Sequence, residues 1–267
     1  MSIDASATVH PTALVEDGAE IGPDCFIGPY SVVGPEVRLG QAVELKSHVA
    51  LTGDTTVGDR TRIWPFASIG HMPQDLKYAG EKTRLEIGSD NMIREHVTMN
   101  PGTSGGGGVT RIGNGSLYMV GVHIGHDCQL GNKIVIANHC SLAGHVEVAD
   151  NVVIGGLSGI HQFCRIGQGV MLGGQTGIVA DVIPYATVTG SRAGLSGLNL
   201  IGLKRAGFEK YLIQELRAAY GELFEGDGTL SERTKIIAEK YASNPLVAEI
   251  ADFLTADSSR KFLTPQG

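Results

Sequence analysis

The chain has 267 residues, of which 38 are glycine and only 6% aromatic, and its formal net charge is −7. Glycine at about twice its usual share disfavours an ordinary packed α/β core and suits a fold of tight turns and small inward side chains. The acidic balance, with no basic run to neutralise phosphates, argues against generic nucleic-acid binding, and no apolar stretch approaches the ~20 residues of a membrane span.

The N-terminal run MSIDASATVH has neither a basic start nor an apolar h-region, so a soluble, cytoplasmic protein is expected. From Val9 an aliphatic residue returns every sixth position through Val15, Ile21, Ile27, Val33, Leu39, Leu45, Leu51, Val57, Ile63 and Ile69. The step resumes at Ile87, Ile93 and Met99, and again from Ile112 through Tyr118 and Ile124 to Ile178. Glycine often follows the aliphatic residue, as at Gly22, Gly28, Gly34, Gly125 and Gly173, where a corner is expected. The fifth position of the hexad is nearly always small or β-branched and holds all four cysteines, Cys25, Cys128, Cys140 and Cys164. They read as small buried hydrophobes, not as a disulfide framework or metal site. The pattern predicts a coil of short strands that buries its interior by stacking turn on turn.

Two interruptions stand out. GHMPQDLKYAGEKT, between Ile69 and Ile87, keeps the phase but puts Asp75 and Glu81 in the aliphatic slots, so it leaves the coil as a loop. NPGTSGGGGVTR, between Met99 and Ile112, shifts the phase by one residue and reads as a second, flexible excursion. Its glycines lack the Lys-Ser/Thr context of a phosphate loop.

The period alone does not fix the number of hexads per coil; with three, as the family resemblance given below implies, positions 18 apart stack at about 4.8 Å. His126 then lies beside Gly144 and Gly144 beside Gln162, while His145 stacks on Asp127, with His123 and His161 close by. A lone histidine is an ordinary surface residue. A stacked set beside a carboxylate offers a base and its orienting anion, and a main-chain N–H beside a glycine offers an oxyanion donor, the two needs of acyl transfer.

The repeat ends near Pro184, and after about Ser191 the period becomes helical. Helices are expected over FEKYLIQELRAAYGELFE, from a Thr229/Glu232 capping box through Tyr241, and from Pro245 with Leu246, Ile250 and Leu254 on one face. Residues 1–190 are assigned to the β-helix and 191–267 to a helical domain that closes its end.

The runs QDLKYAGE (74–81), HIGHDC (123–128), LAGH (142–145), HQFC (161–164), GG (173–174) and GLKRAGF (202–208) resemble the UDP-N-acetylglucosamine O-acyltransferases over essentially the whole chain. These are hexapeptide-repeat enzymes that perform the first committed step of lipid A synthesis. The resemblance implies a left-handed parallel β-helix with a C-terminal α-helical domain, three hexads per coil, and a homotrimer with active sites between prisms. It implies that His126 is the general base, Asp127 its orienting partner and Gly144 the oxyanion donor. Gln74, Asp75, Lys77, His123, His145, His161 and Gln162 would line the sugar and acyl-pantetheine site. Asn199 and Arg205 would contact the uridine diphosphate, and Gly174 would set acyl-chain length. The acyl group would arrive on the phosphopantetheine of acyl carrier protein, with no other cofactor and no metal. Two positions depart from the family, Ile201 for a common Glu and Ala206 for a second Arg, both toward the nucleotide end.

Lys204, Arg205, Lys210 and Arg217 make a basic stretch suited to an acidic carrier protein. A 3-amino sugar as acceptor stays open. So does a zinc enzyme of the β-helix carbonic anhydrase type with His123 and His126 as ligands, although the Asp after His126 and the QDLKYAGE loop have no use there. The later N-acyltransferase of the pathway carries an N-terminal uridine-binding domain, for which hexads beginning at Val9 leave no room. A purely structural β-helix would be indifferent to loss of His126.

Overall fold

The computed structural model describes residues 2–265; Met1, Gln266 and Gly267, at the outer ends of the two expected domains, lie outside them. The six-residue period folds as anticipated, into two-residue strands wound around three parallel sheets. Glu20–Ile21 pairs with Arg38–Leu39 in sheet A, Phe26–Ile27 with Glu44–Leu45 in sheet B, and Val32–Val33 with Ala50–Leu51 in sheet C. In each pair the second residue points inward. Along sheet B, Ile27, Leu45, Ile63, Ile93, Tyr118, Ile136, Ile154 and Leu172 form one fully buried column. Each such side chain contributes about 1.5–3 kcal/mol of burial. The four cysteines are free and buried within the same core, and burial pushes the Cys128 thiol up to about 12.

The turning residue is not the glycine that follows the aliphatic slot. It stands two places further on, in the left-handed region, and is seldom glycine itself: Asp24 at φ 58°, His48 at 57°, Asp127 at 61° and His145 at 61°. Side chains at one corner therefore stack in ladders along the prism.

Outward residues divide the faces. Sheet A presents Glu20, Arg38, Glu86, Arg111, Glu147 and Arg165, with ion pairs such as Arg111–Glu86 at 3.0 Å. Sheet C presents Leu14, Val32, Ala50, Ser68, Thr98, His123, Ser141, Gly159 and Gly177, with no Asp, Glu, Lys or Arg. The later half of sheet B presents Met92, Leu117, Val135, Val153 and Met171.

Both excursions leave at the corner between sheets C and A. Val57 pairs with Ile87, thirty residues on, and Ile87 with Ile112, twenty-five on, where eighteen is the rule elsewhere. The insertions thus add a loop at one corner without disturbing the ladder.

At the far end, sheet B continues through Ala186–Thr189 and an antiparallel strand, Gly194–Leu198. Four helices follow: α1 (Leu200–Arg205), α2 (Lys210–Glu225), α3 (Leu230–Lys240) and α4 (Pro245–Thr255). The expected capping box is formed, Thr229 and Glu232 bonding reciprocally, and Asn244 caps α4. Helix α1 was not expected, being too short to show a period. The chain then returns to the prism, where the buried Asp181 accepts from Arg165 Nε at 2.7 Å and from the Ser258 hydroxyl at 2.6 Å. No helix among the described residues is long and apolar enough to cross a membrane.

Candidate active site

The corner between sheets C and A carries Asp127, His145 and Phe163 in successive coils. The register expected from 18-residue stacking holds: His145 N–H donates to His126 O at 2.9 Å, and Phe163 N–H to Gly144 O at 3.3 Å. His126 Nδ1 lies 2.8 Å from Asp127 Oδ2. The Asp127 side chain is wholly buried, while the His126 ring keeps 15% of its surface exposed. A buried carboxylate cannot donate to Nδ1 when ionised, so the Nδ1 proton belongs to the imidazole and Nε2 keeps its lone pair. That is the geometry of a general base with an orienting anion.

Gly144 lies beneath the imidazole. A Cβ there would stand 2.6 Å from His126 Nε2 and 2.5 Å from Cε1, which no side chain could share. The Gly144 N–H has no acceptor among the described residues. Its slot in the hexad explains why. Pro11, Pro23, Pro29, Pro35, Pro65, Pro101 and Pro184 all occupy the same position, the third from each aliphatic residue counted inclusively. The ladder makes no use of an N–H there, so proline is admitted, and at Gly144 the same group is free to donate to a ligand.

His123, His145 and His161 wrap the corner. His145 packs edge-on to His126 at 5.0 Å and flat on Phe163 at 4.4 Å. Burial holds its imidazole below the ordinary value, against the pull of Asp127. His123 points from sheet C, its Nδ1 2.7 Å from the Thr98 hydroxyl, and burial lowers it too, helped by His126. His161 and Gln162 are exposed, and the Arg260 guanidinium donates to His161 Nδ1 at 2.8 Å, a contact from the C-terminal tail that no local pattern signals. Gln74, Asp75 and Lys77 sit on the 70–83 loop, which springs from the same corner. Asp75 and Lys77 are near enough to act electrostatically on His145.

The glycine-rich excursion departs from its expected role as a flexible connector. It folds over Asp127, with a single 3₁₀ turn at Ser104–Gly106, and Thr103 donates to both carboxylate oxygens. His126, Asp127 and His145 place three potential metal-ligand atoms within 4.8 Å of one another. Both Asp127 oxygens are already engaged by Thr103 and His126, which accounts for the carboxylate's burial through hydrogen bonds of the chain itself.

Asn199, Arg205 and Gly174 lie elsewhere. Asn199 and Arg205 line a cavity of about 480 Å³ with Lys133, Gln168, Tyr185 and Ala206, at the corner between sheets A and B. Both ends of the Asn199 amide are engaged, Oδ1 by Gly202 N–H at 2.9 Å and Nδ2 by Gly169 O at 2.9 Å, so Asn199 caps α1 and shapes the cavity wall. Ile201 is 65% exposed. Gly174 is at the corner between sheets B and C, its missing Cβ 3.3 Å from Gly156 O.

Residues 181–263 match the family model described as UDP N-acetylglucosamine O-acyltransferase, domain 2. The chain is 44% identical to the acyl-[acyl-carrier-protein]–UDP-N-acetylglucosamine O-acyltransferase of Rhizobium johnstonii over 264 residues, 99% of this chain and 97% of that one. The enzyme of the same name from Paracoccus denitrificans is 52% identical over 203 residues, 76% of this chain and 77% of its own length. Among solved structures, UDP-N-acetylglucosamine acyltransferase from Campylobacter jejuni superposes with a TM-score of 0.92 at 37% identity, covering 97% of this chain and 100% of the other.

Proposed function

Since the chain belongs to the acyl-carrier-protein–UDP-N-acetylglucosamine O-acyltransferase family, we propose that its reaction runs on His126 at a site completed by a second copy. The reaction is transfer of an acyl chain from acyl carrier protein to UDP-N-acetylglucosamine, the first step of lipid A biosynthesis. His126 Nε2 takes the proton of the sugar 3-hydroxyl as that oxygen attacks the thioester carbonyl. The oxyanion is held by the Gly144 N–H. When the C–S bond breaks, the leaving pantetheine sulfur receives the proton from the His126 imidazolium. Asp127 stays ionised throughout and stabilises the charge that forms on the imidazole.

The observation that carries the reading is the His126–Asp127 pair lying flat over Gly144. The need for a second copy comes from the faces. His126 and Arg205 stand at opposite edges of sheet A, the charged sheet. The uncharged sheet C and the apolar stripe of sheet B meet at the third corner, which carries an exposed ladder of Tyr30, His48, Phe66 and His96. Three copies joined sheet B to sheet C around that ladder keep every sheet A in solvent. They also bring the His126 edge of one copy against the Arg205 edge of the next, in a closed heterologous ring. The seam between sheet C and a neighbour's sheet B is apolar and fits a 3-hydroxyacyl chain, with Gly174 at its inner end.

The carrier protein has a matching surface. A cleft of about 410 Å³ on the cap has an apolar floor of Leu200, Phe208 and Ile213 and a rim of Lys204, Lys210 and Arg217, suited to an acidic helix.

The test is complementation. His126→Ala should stay folded and trimeric and lose transfer by orders of magnitude. Mixed with an Arg205→Ala variant and reassembled, it should recover part of the wild-type rate, because some interfaces then pair an intact His126 with an intact Arg205. Mass spectrometry of the product from acyl carrier protein and UDP-N-acetylglucosamine reads the result. A His126→Ala rate near wild type would refute the base, and a mixture no more active than its parts would refute the shared site.

A further inference from the structure

Asp127 is buried beneath residues that the reading above leaves without a role. Its Oδ1 accepts the Thr103 backbone N–H at 2.8 Å, and its Oδ2 accepts the Thr103 hydroxyl at 2.7 Å and His126 Nδ1–H at 2.8 Å. From the opposite side its own N–H donates to Thr110 Oγ1 at 2.8 Å. Thr103 is itself buried.

We propose that Thr103 is a positioning residue for the His126–Asp127 pair, fixing the carboxylate plane so that Oδ2 stays in line with the imidazole. The inference rests on His126 acting as the base.

The loop bearing Thr103 is built for that task. Gly106 lies against the carboxylate so closely that a Cβ would stand 2.0 Å from Asp127 Cγ. The turn closes on the Thr103 carbonyl, which accepts Gly106 N–H at 3.1 Å and Gly108 N–H at 2.9 Å. The neighbouring Ser104 ties the loop to the other excursion: its N–H and its hydroxyl both donate to Glu81 Oε1 at 3.1 Å. Glu81 is held at about 2 by its own backbone N–H and those of Ala79 and Ser104, so it meets Ser104 as a carboxylate at neutral pH. One loop thus grips the carboxylate, and the other braces that loop through Glu81.

The chemistry of the arrangement is specific. A carboxylate that bonds to His126 alone can rotate about Cβ–Cγ, and each rotation tilts the Nδ1 bond out of the ring plane. The Thr103 hydroxyl and N–H grip both oxygens and remove that freedom before the reaction begins. The benefit is largest when the imidazole becomes charged, so it should fall on turnover and leave substrate binding alone.

Thr103→Val keeps the shape and deletes the hydroxyl; Thr103→Ser restores it. In the trimeric enzyme assayed with acyl carrier protein thioester and UDP-N-acetylglucosamine, Thr103→Val should lower kcat by about ten- to a hundredfold, the range of one hydrogen bond to a charged group. KM for the sugar nucleotide should change by less than about twofold, and Thr103→Ser should return most of the rate. Gly106→Ala approaches from the other side and, by pushing the loop off the carboxylate, should give the same kcat loss at unchanged KM. Thr103→Val within about twofold of wild type, or a loss that Thr103→Ser fails to restore, would overturn the proposal. An inactive wild type, or a fully active His126→Ala, would instead overturn the reading beneath it.

Discussion

The corner between sheets B and C and the corner between sheets C and A are built on the same backbone. Each places a residue in the left-handed region once per coil, and each stacks rings along the prism. At the first, Tyr30, His48, Phe66 and His96 follow one another at 5.0, 5.2 and 5.1 Å. At the second, His145 and Phe163 stack at 4.4 Å, but the slot below is Asp127, and the glycine-rich excursion folds over it. His48, His96 and His145 hold equivalent slots, and only His145 has a buried carboxylate as neighbour. The imidazole ladder alone is packing. An anion taken out of water, gripped by the N–H and hydroxyl of Thr103, turns the adjoining imidazole of His126, which is not a member of the ladder, into a base.

The contrast is broken most severely at Asp127. Asp127→Asn offers Nδ1 an amide in place of an anion, and kcat should fall by about a hundredfold or more. The matched change at the other corner, His48→Ala, should leave kcat of the assembled enzyme within about twofold of wild type. Steady-state kinetics on the two proteins decides, and equal losses would show that the corners do not differ as argued.

Gly144→Ala comes next. Its Cβ would collide with the His126 ring, so the imidazole must swing away and kcat should drop by about ten- to a hundredfold. Restoration of wild-type kcat in the double variant Gly144→Ala, His126→Ala is impossible on this account and would be fatal to it.

At the corner between sheets B and C the expected effect is on assembly. Phe66→Asp keeps a residue tolerant of positive φ and puts three carboxylates together at the proposed axis. Light scattering should show the trimer dissociating toward single chains at micromolar concentration, with activity falling in step. An unchanged mass would move the axis elsewhere.

The smallest effect belongs to Glu81. Its carboxyl titrates at about 2 in the fold against an ordinary 4.5, so its contribution is fully present above about pH 4.5 and fades as the pH falls toward 2. Glu81→Gln should lower the denaturation midpoint slightly at pH 6 and match wild type near pH 2, the difference being further reduced by salt because the residue is only half-buried.

Much of this was legible from the chain alone because it is periodic or local. The six-residue step gives the core column, and the Thr229/Glu232 pair and Pro245 give the starts of α3 and α4; placing His126 beside Gly144 also needed the coil length of three hexads, which only the family resemblance supplies. What escaped depends on where a departing segment lands. Thr103 sits in a glycine-rich run whose destination is set by contacts 24 residues away. The tail that brings Arg260 to His161 crosses 99 residues. One signal was present and unused: the seven prolines of the repeat share a single slot, and that slot marks Gly144 as having an idle N–H.

The strict phase of the prism also governs how its length can change. Removing residues 20–37 would join Ala19 to Arg38, which occupies the slot that Glu20 vacates, and the shortened molecule would still point every aliphatic side chain inward. Removing one residue fewer would rotate each following strand by a position and turn sheet A's charges into the interior. Growth and loss along this axis therefore proceed in whole coils, whereas the corner bearing the two excursions accepts additions of any size, because they never enter the stack.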